Sequence, residues 1–289
     1  MVDATSFDSR RETDKGTAVQ PTTSGEVTAT MKHLLIASAA LLFTSTAAFA
    51  QDATTGHRVR VGLGAQVRPE YIGADSSEIA PLLHIKIARG ANQFRFGAPD
   101  DSAGISVVSK NGFSFGPAAN LQGSRKDSDV GAAVGKVKTT LEAGAFAQYE
   151  ANDSWRVRGE LLKGLGGHDG LVGSIGADKI WRDGDKYVFS IGPRVLFSDS
   201  KYQRAYFGVS PTAAVATGLP AYRPSGGIHA VALASGLSYQ FNDRFGMFGF
   251  GRYERLVGDA AKSPIVRELG SRNQLSAGIG LSYTFNVDM

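Results

Sequence analysis

Hydrophobic and polar residues alternate with a period of two along most of the chain after residue 56. In the first run, residues 57–69, Val59, Val61, Leu63 and Val67 are separated mainly by arginine, glutamine and glycine. The same alternation recurs at 79–87, 155–161, 187–197, 231–241 and 275–285. A helix would place these apolar residues on opposite faces, whereas a strand places them on one face. The pattern therefore predicts β-strands.

The breaks between these strands alternate between short and long. Short breaks, rich in Asn, Asp and Gly as tight hairpins require, lie at 90–91, 110–112, 151–153, 182–185 and 242–243. Longer polar breaks lie at 69–78, 99–103, 122–138, 164–170, 199–227 and 257–272. Such sorting is typical of a transmembrane antiparallel up-and-down β-barrel with short periplasmic turns and long outer loops. We therefore predict an all-β barrel of about twelve strands, with 10–14 possible, rather than a soluble β-sandwich.

A barrel of this kind turns apolar side chains to lipid and polar side chains to its lumen, and closure pairs every backbone group within the hydrocarbon. Aromatic residues near the predicted strand ends fit the lipid–water boundaries. They are Tyr149, Trp155, Trp181, Tyr187, Phe241, Phe245, Tyr283 and Phe285. Alternatively, the same aromatic residues would fill the core of a soluble β protein.

The first fifty residues have the features of an export signal. An apolar run at 34–43 follows the short basic head Lys32-His33. The cleavage motif after it consists of Ala48 and Ala50, followed by Gln51. Segment 34–50 is short against the roughly 20 apolar residues of a spanning helix. We predict a cleaved signal peptide at 31–50, a disordered upstream extension at 1–30 with the true start at Met31, and a mature barrel at 51–289.

The composition supports strands and argues against nucleic acid. The chain holds 36 glycines, which are costly inside helices. Its formal net charge is +4, and the basic residues are scattered rather than clustered as a nucleic-acid face requires. It has no cysteine, which is compatible with export but does not demonstrate it. We therefore expect no nucleic-acid partner.

Charged residues fall mostly on the predicted lumen face. They include Arg58, Arg60, Arg156, Arg158, Glu160, Arg194, Arg252 and Glu254. Unpaired buried charges cost several kcal/mol each, so these residues either pair across a filled barrel or line water. The first case predicts a plug and the second a pore that prefers anions. The loop 199–227, stiffened by Pro211, Pro220 and Pro224, is expected to fold inward and occlude the lumen.

Candidate catalytic groups are sparse. His168 and Asp169 are adjacent in a glycine-rich turn, a pairing that in a hydrolase activates water or a nucleophile. There is no G-x-S-x-G nucleophile elbow, and a turn in which the Asp caps its own backbone explains the motif better. The acidic turns at 127–129 and 183–185 could bind calcium weakly through oxygen ligands, but acidic surface turns are far commoner than calcium sites. We expect no catalytic residues, metal or cofactor.

Several separated motifs resemble one family. They contain Tyr71 and Gly73; His168, Asp169 and Gly170; Tyr206, Phe207 and Gly208; Pro220 and Tyr222; and Gly258, Asp259 and Pro264. In this order, over 57–285, they resemble the MipA/OmpV family of Gram-negative outer-membrane proteins. The final strand, with Leu281, Tyr283 and Phe285, also resembles the signal read by the barrel-assembly machinery. Four residues follow Phe285, whereas such signals normally end on the aromatic residue.

The resemblance implies a non-enzymatic barrel in outer-membrane lipid. The family name, MltA-interacting protein, implies a scaffold that links a lytic murein transglycosylase to a peptidoglycan synthase. A small-solute channel and an adhesin are the alternatives that other members suggest. A murein scaffold meets its partners in the periplasm, where the predicted topology offers only short turns. Either the inner face of the barrel is the docking surface, or scaffolding is not the role of this member of the family.

Overall fold

The computed structural model describes residues 56–287. Its strands are β1 His57–Pro69, β2 Ser77–Arg89, β3 Ala103–Gly104, β4 Val108–Lys110, β5 Phe113–Gln122, β6 Thr140–Asn152, β7 Trp155–Leu165, β8 Leu171–Asp183, β9 Tyr187–Ser198, β10 Gly227–Gln240, β11 Phe245–Leu256 and β12 Asn273–Val287. Its helices are α1 Asp127–Val130, α2 Ser200–Phe207, α3 Pro211–Thr217, α4 Gly258–Lys262 and α5 Pro264–Glu268. The predicted extension, signal peptide and cleavage site at Ala48, Ala50 and Gln51 lie outside the described residues.

All the strands belong to one antiparallel sheet in the order β2-β1-β12-β11-β10-β9-β8-β7-β6-β5-β3, with β4 also paired to β5. From β5 to β12 consecutive strands are neighbours, as are β1 and β2. β1 also pairs with β12, so that Leu63 lies opposite Leu281. The prediction of an all-β, up-and-down antiparallel fold with about twelve strands is confirmed. Among residues 56–287, no ladder joins β2 to β3 or β4. We call this place the seam.

The sheet is apolar outside and polar inside. Ile79 on its outer face is 81% exposed, whereas Arg156 on its inner face is 1% exposed. Other exposed apolar residues of the strands are Leu63, Val67, Leu83, Ile85, Ile87, Leu161, Ile175, Leu233, Leu275, Ile279 and Leu281. Buried polar residues include Arg60, Glu142, Gln148, Arg158, Asp178, Ser190, Arg194, Ser282 and Thr284. A soluble protein places polar residues outside and apolar residues inside. The outer surface of this barrel is therefore suited to lipid.

The aromatic residues named above lie at one end of the barrel. Trp155 and Phe245 begin strands after short turns, and Trp181 and Tyr283 lie near the ends of strands that run toward the same side. Trp181 stacks on Phe189, and Phe245 contacts Tyr283 edge to face at 5.0 Å. An aromatic belt at the short-turn end marks one membrane boundary.

One stretch departs from the predicted strands. The alternation and the predicted loop at 99–103 imply a strand over about 92–98, but this stretch is not a strand. Residues 92–102, here called the inward segment, instead lie against side chains of the lumen. The following strand is split into β3 and β4, which together run from the middle of the sheet to the short turn at Asn111. Charge pairing inside the barrel explains the difference, as described below.

The predicted long loops contain the five short helices, which sequence periodicity did not reveal. No helix among the described residues is long and apolar enough to cross a membrane. The loops 70–76, 123–139, 199–226 and 257–272 pack on one another through buried residues including Tyr71, Val130, Val209, Leu219 and Ile265. We call this assembly at the long-loop end the cap.

Candidate functional site

A cluster of ion pairs fixes the inward segment in the lumen. Asp101 accepts hydrogen bonds from Arg156 at 2.5 and 2.9 Å, and Asp100 accepts two from Arg194 at 3.0 Å. Asp178 lies between the two arginines and accepts from Arg156 Nε and Nη2 at 3.0 and 2.6 Å and from Arg194 at 2.7 Å. We call these five residues the ion cluster. Because every charge has an opposite partner, the cluster can be buried.

The beginning of the inward segment crosses the lumen at the short-turn end. Asp185, in the turn between β8 and β9, pairs with Arg58 of β1 at 2.8 Å and accepts from the backbone N–H of Phe94 at 2.9 Å. The guanidinium of Arg60 lies 4.4 Å from the centre of the Phe94 ring. Strands β10, β11 and β12 separate β1 from β9 in the sheet order, so these contacts span the barrel. We call residues 92–96 and 183–186 the floor.

The cap is built on a buried arginine and on capped helices. Arg125 is 1% exposed and donates to the carbonyl of Tyr206 and, at 2.8 Å, to the carbonyl of Gly135. Asp199 caps α2 by accepting from the N–H groups at the start of that helix. Helix α3 begins with Ser210 as its cap and ends at Gly218, whose φ of 76° is left-handed. These local signals fold the loop 199–226 over the barrel mouth.

The family motifs meet in the cap. Gly73, with a φ of 95°, donates its N–H to Gln274 at 3.1 Å, while Tyr71 is buried. Phe207 is fully buried, and its carbonyl accepts a hydrogen bond from the hydroxyl of Ser263 at 2.7 Å. These contacts connect three loops and the start of β12.

Further motif contacts extend this assembly. The hydroxyl of Tyr222 donates to the carbonyl of Asp259 at 2.9 Å. The N–H of Gly208 donates to the carbonyl of Arg204 at 3.1 Å and ends α2. Pro264 is buried and begins α5. The motifs therefore hold separate loops together rather than forming a catalytic constellation.

The remaining motif residues lie in the same region. Pro220 follows α3, and Gly258, with a φ of 57°, begins α4. Gly170 donates its N–H to Nδ1 of His168 at 3.1 Å. Each of these residues shapes a turn or the end of a helix. None brings a nucleophile to a base.

Burial and hydrogen bonds shift the pKa of several cap groups. Burial, followed by the nearby Glu142 carboxylate, raises the pKa of the Tyr206 phenol well above its usual range, so this hydroxyl is neutral at physiological pH. Burial likewise raises the pKa of Tyr202. The side-chain hydroxyl of Ser225 and then its backbone N–H donate to Asp259 and lower the pKa of that carboxyl. The Ser225 contact therefore favours the charged form of Asp259.

His168 and Asp169 do not form a pair. Nε2 of His168 lies 2.9 Å from Glu142, and the imidazole is buried beside Tyr202. Asp169 instead has a φ of 48° and accepts a long hydrogen bond from the N–H of Gly166 at 3.4 Å. The turn interpretation of Asp169 agrees with this geometry. The partnership of His168 with Glu142 was not visible in the sequence because 26 residues separate them.

The predicted lumen charges lie inside the barrel. Besides Arg58, Arg60, Arg156 and Arg194, Arg158 donates to Glu160 at 3.2 Å and Arg252 pairs with Glu254. The sequence analysis did not identify the acidic partners of Arg156 and Arg194, which are Asp100, Asp101 and Asp178. Two adjacent acidic residues, Asp100 and Asp101, could have indicated partners for the lumen arginines. They were instead assigned to an outer loop.

The residues of the predicted assembly signal lie on the outer face of β12. Leu281, Tyr283 and Phe285 alternate along this strand with Ser282 and Thr284, which are buried on the lumen side. Their side chains therefore face the surface that is suited to lipid.

The acidic turns already have protein partners. Asp127 accepts from the N–H of Gly135 at 2.7 Å, Asp129 accepts from the N–H of Lys126 at 2.8 Å, and Asp185 belongs to the floor. Among the described residues, no group of three or more acidic, histidine or cysteine side chains is arranged to hold a metal ion.

A cavity of about 510 Å³ remains between the ion cluster and the cap. Asp100 and Asp101 lie on the side of the short-turn end, and Tyr202 and Tyr206 lie on the side of the cap. Its walls carry Glu142, Glu160, Arg194, His229, Arg252 and Glu254. The lumen is therefore a chamber bounded by the inward segment and by the cap.

A polar lumen, an apolar outer surface, an aromatic belt and loops sorted by length define a transmembrane β-barrel of the outer-membrane class. Residues 61–285 match the family described as MltA-interacting protein MipA, and the chain belongs to this family. The resemblance seen in the separated motifs is thereby confirmed. No curated protein sequence matches the chain.

Solved barrels with low similarity include the KdgM porin, with 9% identity and a TM-score of 0.36 over 78% of this chain and 99% of that chain. An outer membrane channel from Pseudomonas putida F1 has 10% identity and a TM-score of 0.42 over 84% of this chain and 98% of that chain. The translocator domain of autotransporter NalP from Neisseria meningitidis has 16% identity and a TM-score of 0.40 over 91% of this chain and 98% of that chain. Similarity at this level carries no information about function.

Proposed function

We propose that this chain is a non-enzymatic outer-membrane barrel that acts by binding envelope proteins, as a scaffold between a lytic murein transglycosylase and a peptidoglycan synthase. The observation that carries the proposal is the inward segment, which the ion cluster ties across the lumen. A barrel filled in this way is better suited to presenting a rigid surface than to passing solutes. The family name supplies the identity of the partners.

The floor supplies a surface for these partners. Short turns alone offer little area on the periplasmic side, but residues 92–96 add a stretch of chain across the barrel opening. Gln93 and Arg95 are exposed there, while Phe94 is buried beneath the guanidinium groups of Arg58 and Arg60. The contacts of Asp185 with Arg58 and Phe94 hold this surface in place. A partner therefore meets a pre-formed surface and loses little ordering entropy on binding.

Site-specific photo-crosslinking in living cells tests this proposal. A photoreactive residue at Gln93 in the floor is expected to form adducts with murein enzymes. The matched control is Val215 on α3, which is 89% exposed at the opposite end of the barrel. Adducts with host surface molecules from Val215 alone would favour an adhesin instead. Absence of murein-enzyme adducts at Gln93, with correct assembly of the variant, would contradict the scaffold.

A gated small-solute channel is the second candidate, and the cavity favours it. The chamber of about 510 Å³ extends from the ion cluster to the cap, so release of the inward segment would lengthen it toward the periplasm. Arg58, Arg60, Arg156 and Arg194 would then line the opened path and attract anions. Anion-selective current after release of the segment would support this candidate.

A further inference from the structure

The cavity reaches the outer surface of the barrel wall at the seam. Leu83 of β2 and Leu121 of β5 both border the cavity, yet their side chains are 69% and 70% exposed on the lipid-facing side. β3 pairs with β5 only at Ala118 and Ala119. Between that point and the long-loop end, residues 120–122 of β5 pair with β6 on one edge. Within 56–287 no strand pairs with their other edge. The wall is therefore open sideways, from the chamber to the membrane.

The chemistry of the chamber is acidic and aromatic. Six carboxylates and three arginines border it, and two further arginines outside its lining, Arg156 and Arg158, pair with Asp101 and Glu160. Glu142 is 3% exposed. Its carboxylate is hydrogen-bonded to the amide of Asn120 at 2.7 Å and to the ring of His168 at 2.9 Å, and neither partner carries a fixed charge. Glu254 shares Arg252 with Asp100. A positive group entering the chamber would meet carboxylates that the protein's own cations do not fully neutralise.

The side of the chamber next to the cap carries aromatic rings and a hydroxyl with spare hydrogen-bonding capacity. Tyr202 and Tyr206 border the cavity with ring centroids 4.9 Å apart. Tyr206 is 1% exposed, and although Thr140 lies near its hydroxyl, that group makes no hydrogen bond of normal geometry among the described residues. A buried hydroxyl without such a bond costs free energy, which a ligand acceptor can recover. Tyrosine faces also attract organic cations.

We propose that the cavity binds an amphipathic organic cation, whose positive head lies between Glu142, Glu254 and the tyrosine rings and whose apolar chain passes through the seam. The volume of about 510 Å³ suits a head group and a short part of the chain. The exposed leucines at the seam match an alkyl chain that remains in lipid. This site is independent of the protein partners proposed above, because it lies in the chamber and at the seam and not on the floor.

Binding of matched probes to the full chain in lipid nanodiscs tests the site. The probes are a fluorescent alkyl trimethylammonium and an alkyl sulfonate of the same chain length and fluorophore. Saturable binding of the ammonium probe with at least about tenfold preference over the sulfonate is expected, a difference of about 1.4 kcal/mol. Equal binding of both probes, stronger binding of the sulfonate, or no saturable binding would overturn the proposal.

Two substitutions locate the head group. Glu254→Gln is expected to weaken ammonium binding about tenfold, because it removes a charge and little volume. Tyr206→Phe removes a hydroxyl without a well-formed protein hydrogen bond, so the barrel should assemble normally. Affinity should fall for a third probe, an alkyl ether of choline with the same fluorophore, whose ether oxygen can accept from that hydroxyl. Asp153→Asn, in the exposed turn after β6, is the control and should leave affinity unchanged. Unchanged affinity in both Glu254→Gln and Tyr206→Phe would contradict the assignment.

Bridging the seam tests the lateral route. The chain has no cysteine, so Leu83→Cys with Leu121→Cys introduces a unique pair for a flexible bis-maleimide. The bridged protein is expected to take up the membrane-delivered ammonium probe at least about tenfold more slowly than either single variant treated with the same reagent. Equal uptake rates after confirmed bridging would show that the probe does not enter through the seam.

Discussion

Asp178 joins and orients the two arginines, Arg156 and Arg194, that hold the inward segment. It is 1% exposed, stands on β8 and accepts three hydrogen bonds from Arg156 and Arg194. Asp178→Asn keeps the size of the side chain but removes its charge and turns an N–H donor toward a guanidinium. Both arginines keep one acidic partner, Asp101 and Asp100 respectively. The substitution therefore weakens the cluster without leaving either arginine unpaired.

The expected cost follows from these contacts. Breaking a buried ion pair by removing one partner costs about 3–5 kcal/mol. Asp178 serves two arginines, but each retains a carboxylate, so no buried charge is left unpaired. The expected loss in the free energy of unfolding is therefore smaller, about 1.5–3 kcal/mol for the lost charge-assisted hydrogen bonds. For a domain of this size, the loss lowers Tm by roughly 3–12 °C.

Urea unfolding in lipid vesicles, followed by tryptophan fluorescence, measures this change. Trp155 lies opposite Lys179 on the neighbouring strand, and Trp181 is three residues from Asp178, so both indoles report on this wall. Asp183→Asn is the matched control, because Asp183 is on the same strand but exposed at its end. It should change stability by less than about 0.5 kcal/mol. A loss below about 1 kcal/mol for Asp178→Asn would refute the reasoning that Asp178 stabilises the ion cluster.

Three further changes test other parts of the structure. Asp100→Asn combined with Asp101→Asn should release the inward segment and produce single-channel current, whereas Asp243→Asn in an exposed turn should produce none. Gly192→Ala should reduce the yield of assembled barrel on heat-modifiability gels, because its Cβ would lie 1.8 Å from the carbonyl oxygen of Ala177, while Gly123→Ala, with open space around it, should not. The lowered pKa of Asp259 means that its contribution to the cap is present above the unfolded pKa of about 3.9 and lost as pH falls through the folded value. Ser225→Ala should therefore make protease sensitivity of the cap begin at a higher pH.

The strands were predictable because their pattern is local. A period of two fixes which side chains share a face, and the sorting of breaks by length fixes the up-and-down order. Pairing of the first and last strands then follows from this order. In the structure β1 pairs with β12 in a register that places residue 57 opposite residue 287. The arginines at 156 and 194 were placed on the lumen face by the same alternation.

The course of the inward segment was not predictable from alternation. Residues 92–98 have the apolar and polar spacing of a strand, but Phe94 packs against Arg60 and the two acids that follow pair with Arg156 and Arg194 on distant strands. Such partners become neighbours only when the barrel forms. The cap posed the same difficulty, because its helices are short and are stabilised by contacts between loops that are far apart in the sequence.

The most direct test of a closed lumen is the conductance of the intact chain, purified from outer membranes and inserted into a planar bilayer at neutral pH. We predict verified insertion with no steady current, because the ion cluster holds the inward segment across the lumen. Steady ohmic current from the unmodified protein would contradict the closed barrel and would put transport ahead of scaffolding.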